Sequence, residues 1–108
     1  MKPLVVLCTW PADQDPLPAA RSLVERRLAA CVNVVPGLRS VYAWQGEIHT
    51  DAEILLLIKT SAQRYATLED ALRRLHPYEL PEIVGIPIEK GLPGYLRWMM
   101  EQTDTSME

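Results

Sequence analysis

The spacing of apolar positions changes several times along the chain, and each change marks an element. Leu4 to Thr9 is a short run rich in Val and Leu between Pro3 and Pro11, the pattern of a buried strand. From Pro16 the apolar residues fall at helical intervals. Ala20, Leu23, Val24, Leu28 and Cys31 share one stripe, while Arg21 and Glu25 sit one turn apart on the other side. Asp15 suits an N-cap and Pro16 a first helical position, so the spacing predicts a helix to about Ala30. Cys31-Val32-Asn33-Val34-Val35 predicts a second strand, stopped by Pro36-Gly37. The chain turns extended again from Ser40 through Val41, Tyr42, Ala43 and Trp44. Gln45-Gly46-Glu47 is a tight turn, with glycine supplying a positive φ. Glu47 to Thr60 then runs back, completing a long hairpin. Ile54 to Ile58 is apolar at every position, so both of its faces should be covered.

Thr60-Ser61-Ala62-Gln63 has the form of a capping box, a Thr with Gln three residues on. It predicts a second helix with Tyr65, Leu68, Leu72 and Leu75 on one face, ended by Pro77. Ile83 to Ile88 predicts a fourth strand, and Pro87 puts it at an edge or a strand end. Gly91 to Gly94 turns, Tyr95 to Met100 forms a short last helix, and Thr103 to Glu108 is a frayed tail. Strand, helix, strand, strand, helix, strand, helix is the order of an α+β, ferredoxin-like βαββαβ sandwich. Residues 1–108 form a single domain with a long β-hairpin and a short C-terminal helix. If both crossover helices pack on one sheet face, the other is bare. A homo-oligomer is the economical cover, because large bare apolar patches are rare on monomers.

Composition narrows the class. Of 108 residues 48% are apolar, enough for a core at this size. Eleven basic against 14 acidic residues give a net charge of −3, and Phe is absent. Both facts argue against nucleic acid, which calls for cationic contacts to phosphate and aromatic stacking platforms. No apolar run approaches the roughly 18–20 residues of a membrane span. The apolar start at Met1 to Leu7 is too short for a signal peptide and meets Trp10-Pro11 in place of a small-residue cleavage site. The expectation is a soluble, cytoplasmic protein whose two cysteines stay reduced.

Among chemistry-bearing residues, His76 stands where the second helix breaks, inside His76-Pro77-Tyr78-Glu79-Leu80-Pro81-Glu82-Ile83. Two prolines make this segment rigid and extended. The imidazole could cap helix carbonyls or ligate a metal. Cys8, at the C-terminal end of the first strand, could be an inert buried thiol or a ligand. Together the two would suit Cu or Zn, yet two ligands make an incomplete site and no Cys-x-x-Cys or His-x-x-x-His backs them. Cys31 reads as core packing and His49 as a solvated hairpin residue. Glu53, Lys59, Tyr78, Glu79 and Glu82 read as polar neighbours of apolar strands, some forming inter-subunit ion pairs. Trp44 and Trp98 read as packing anchors. No Ser/His/Asp arrangement, P-loop or nucleotide fingerprint is present, so nothing argues for catalysis or an organic cofactor.

The motifs converge on one family. Val6-Leu7-Cys8-Thr9, Leu28-Ala29-Ala30-Cys31-Val32-Asn33-Val34-Val35-Pro36-Gly37, Ser40-Val41-Tyr42-Ala43-Trp44-Gln45-Gly46-Glu47, Leu57-Ile58-Lys59-Thr60, the His76–Ile83 segment and Tyr95-Leu96-Arg97-Trp98 follow in order from about Leu4 to Trp98. The chain closely resembles CutA, the CutA1-type divalent-cation tolerance proteins. The resemblance implies a tight homotrimer similar to PII signalling proteins, non-enzymatic, cytoplasmic and linked to tolerance of divalent cations, copper in particular. In some members copper ligands are assigned to the strand-one Cys and to a His pair before Pro-Tyr. Cys8 matches the first and His76 the second of that pair, and Leu75 stands in place of the other His. An alternative implied role is a PII-like trimer that binds a small ligand, such as an anion, or a partner protein in inter-subunit clefts. Lys59, Arg64 or Tyr78 would serve it.

Overall fold

A computed structural model describes residues 2–105. Its elements are β1 (Pro3–Pro11), α1 (Leu17–Glu25), β2 (Cys31–Trp44), β3 (Glu47–Ser61), α2 (Tyr65–Leu75), β4 (Ile83–Pro87) and α3 (Pro93–Gln102), with a 3-10 turn at Ala62–Arg64 leading into α2. The strands form one antiparallel sheet in the order β2-β3-β1-β4. The expected element order is therefore present.

Strand alternation decides where the core sits. Val6, Cys8 and Trp10 of β1 share a face with Leu56 and Ile58 of β3, and α1 and α2 cover it with Ala19, Leu23, Leu68, Ala71 and Leu72. The alternate set faces the other way. Val5 pairs with Ile86 and Leu7 with Val84 across β1 and β4. On this second face Val35, Val84 and Ile86 are exposed. Helix α3 packs against β3 and β1, and Tyr95 meets Cys31 at the start of β2.

Several features differ from the sequence reading. Helix α1 stops at Glu25, five residues short of Ala30, because Arg27 adopts φ 59°. The Leu28 amide donates to the Leu23 carbonyl and the Arg27 amide to that of Val24, a Schellman closure without glycine. The Arg64 guanidinium donates to the freed carbonyls of Arg26 and Arg27 at 3.2 Å each. Arg27 in turn donates to the Glu101 and Asp104 carbonyls at the end of α3. Second, Pro36-Gly37 does not stop β2. It is a bulge between Val35 and Leu38, with Gly37 at φ 87°, and the ladder resumes to Trp44. Third, Thr60 caps nothing. Its hydroxyl is buried and donates to the Leu28 carbonyl at 2.7 Å. The expected frayed tail is ordered at its start, since Thr103 is buried and bonded to the Met99 carbonyl. Residues 106–108 lie outside the described residues.

The hairpin turn itself is Gln45-Gly46, at φ 51° and 81°. Two positive φ values make a type I′ turn, whose twist matches the strands it joins.

Candidate functional site

The site lies at the C-terminal end of β1, where the β2–β3 ribbon outruns β1 and the chain returns from α2. Pro77 forces His76 out of the helix to φ −77°, ψ 138°. Its ring is buried against Trp10, with centroids 4.5 Å apart, and faces Tyr78 at 5.0 Å. The Nε2 atom lies 2.7 Å from the Thr9 carbonyl oxygen, and the Tyr78 amide donates to Nδ1 at 3.0 Å. A carbonyl only accepts and an amide N–H only donates, so the proton sits on Nε2 and both nitrogens are occupied. His76 therefore does not cap α2; it ties the end of β1 to the Pro77-Tyr78 turn. Burial lowers its pKa, against the Thr9 carbonyl and Glu53, which favour the imidazolium.

Cys8 is fully buried in the helix-covered core. Its thiol lies 3.7 Å from the same Thr9 carbonyl. Burial first, then Glu82 and Glu53, push it up to about 12. A metal would need the thiolate and a free imidazole lone pair. Here the thiol holds its proton and the imidazole has no free nitrogen. Leu75 is an exposed side chain. Among the described residues no group of three or more His, Cys, Asp or Glu is arranged to hold an ion. Cys8 and His76 share an acceptor, and as placed they do not fit a metal ion. Cys31 is half-buried. His49 stacks on Tyr42 with centroids 5.5 Å apart, so it is packed as well as solvated.

The residues described in sequence as polar neighbours prove more organised. Glu53 is only 6% exposed and accepts a hydrogen bond from the Tyr78 hydroxyl at 2.8 Å. Tyr42 donates its hydroxyl to Asp51. Burial and the bond to Glu53 raise the Tyr78 pKa, and the bond to Asp51 raises that of Tyr42. Around Glu53 and Tyr78 opens a cleft of about 710 Å³, walled also by Tyr42, Trp44, Glu79 and Glu82. Among the described residues no Lys, Arg or His lines it. Of the residues expected to meet an anion, Tyr78 lines this cleft, while the two cations are placed elsewhere: Lys59 contacts the Asn33 carboxamide and Arg64 caps α1.

The hairpin pairings were countable from the turn, since a two-residue turn at Gln45-Gly46 sets Tyr42 opposite His49. The Tyr78–Glu53 contact spans 25 residues and has no local signal.

Residues 4–102 match the family described as CutA1 divalent ion tolerance protein. The chain belongs to the CutA1 family. It is 50% identical over 99 residues to the divalent-cation tolerance protein CutA of Thermus thermophilus, covering 92% of this chain and 96% of that protein. It is 47% identical to a CutA homolog of Xenopus laevis, covering 84% of this chain and 60% of the longer relative. Solved CutA1 structures agree in fold. The Thermus thermophilus protein superposes with a TM-score of 0.90 over 94% of this chain and 98% of its own. CutA1 of Oryza sativa gives 0.91 at 39% identity, over 97% and 96%. An Archaeoglobus fulgidus CutA is described as periplasmic, and an Oryza sativa relative as chloroplastic. In this CutA1 chain no helix among the described residues is long and apolar enough to cross a membrane.

Proposed function

We propose that this chain is a non-enzymatic, cytoplasmic, trimeric divalent-cation tolerance protein, copper being the first ion to test. The observation that carries the reading is the family match over residues 4–102. The antiparallel order β2-β3-β1-β4, with α1 and α2 on one face, supports the ferredoxin-like form of the subunit. The exposed Val35, Val84 and Ile86 on the opposite face support assembly. The sequence offers Cys8 and His76 as the metal site, and their geometry weighs against that assignment. Calorimetric titration of Cu²⁺ and Zn²⁺ into the wild type and a Cys8→Ser/His76→Ala variant tests it. The expected result is the same binding curve for both proteins. Saturable binding lost in the variant would return the ion to this pair.

A second reading is favoured by the cleft beside Glu53: a PII-like trimer that binds a small ligand. The volume falls in the range of small-molecule sites, roughly 300–1,000 Å³.

A further inference from the structure

The cleft beside Glu53 is walled by one charge sign and by aromatic rings. Glu53, Glu79 and Glu82 contribute carboxylates; Tyr42, Trp44 and Tyr78 contribute rings. Glu53 is nine-tenths buried, and among the described residues it forms no ion pair. Its hydrogen-bond donor among the described residues is the neutral Tyr78 phenol, on Oε2. A buried carboxylate is costly unless a positive charge compensates it. The acids of the cleft raise the Cys8 thiol through space, so their field reaches beyond the cleft itself.

Two kinds of cation could meet this demand. A bare divalent ion needs several oxygen donors converging within about 2–2.6 Å. No such convergence exists among the described residues. A larger, weakly hydrated organic cation needs only a diffuse negative field and ring faces, which is how aromatic cages hold alkylammonium groups. We propose that the Glu53 cleft is a binding site for a small organic cation, an alkylammonium or a diamine, with Glu53 as the counter-charge and Tyr42, Trp44 and Tyr78 as its walls. This rests on the small-ligand reading above and names the ligand class for it. His76 has a part in the site without touching the ligand. By accepting the Tyr78 amide it holds the turn that delivers the Tyr78 hydroxyl to Glu53.

The test is calorimetry on the assembled protein with four probes: choline, putrescine, 3,3-dimethylbutanol as the neutral isostere of choline, and glutarate as an anion. The expected result is saturable binding of choline or putrescine at one site per chain. The neutral isostere and glutarate should bind about tenfold more weakly or not at all. Glu53→Gln keeps the shape and an acceptor for Tyr78 and should weaken cation binding by about tenfold. Should that variant fail to fold, Glu82→Gln, at an exposed wall position, carries the same comparison. Equal binding of choline and its neutral isostere, or preference for glutarate, overturns the cation assignment and leaves the small-ligand reading standing. Zinc binding that Glu53→Gln abolishes, with no choline binding, overturns it in favour of a metal. No binding of any probe overturns both readings.

Discussion

At the scale of single residues, His76 is held in one tautomer by two backbone partners, and that arrangement has a sign with pH. Burial places its folded pKa below the unfolded value of about 6.5. The unfolded chain therefore binds the extra proton first as pH falls. Stability is complete above about pH 6.5 and is lost on acidification toward the lowered folded pKa. An imidazolium would also present a proton at Nδ1 to the Tyr78 amide that now donates there. Thermal melts from pH 7.5 to 5 should show a fall in Tm that is absent in His76→Asn. Cys8 gives a second check at this scale. A buried thiol pushed up to about 12 should resist alkylation by iodoacetamide at pH 8, while the half-buried Cys31 reacts first. Mass spectrometry of timed samples separates the two sites. Thr60→Val should cost about 1–3 kcal/mol in chemical denaturation, because the Leu28 carbonyl stays buried and loses its donor.

At the scale of elements, Gly37 is the position where the β2 bulge depends on one residue type. Its φ of 87° is left-handed, and a Cβ there would meet nothing within 4 Å. The cost of Gly37→Val is therefore conformational, about 1–2 kcal/mol in denaturant midpoints. The same comparison shows what sequence carries well. The strands, the two crossover helices and the hairpin turn follow from apolar spacing and from Gly46, because these are local steric demands. The end of α1 does not, since Arg27 takes the left-handed position usually marked by Gly or Asn. Thr60 had the spacing of a cap, yet a long-range partner, Leu28, claimed its hydroxyl. The site divides the same way. His76 was visible because Pro77 follows it directly and ends the helix there. The pairing of Tyr78 with Glu53 was not, because nothing local joins a turn after α2 to the middle of β3.

At the scale of the whole molecule, the sheet has one face covered by α1 and α2 and another that α3 covers only in part. Of the apolar side chains on that face, Val35, Val84 and Ile86 are exposed and Val5, Leu7, Leu55 and Leu57 are only half-buried. Past Pro11 the β2–β3 ribbon continues with no third strand beside it among the described residues. Its amides from Val41 to Thr50 are protected by one ladder and, in the proposed assembly, by a neighbouring subunit as well. Amide hydrogen exchange in that ribbon is therefore a gauge of assembly. Dilution that separates subunits should accelerate exchange there by orders of magnitude, while amides of β1, flanked by β3 and β4, keep their rates. The outermost part of the chain would then report on a quaternary equilibrium that the sheet's centre does not feel.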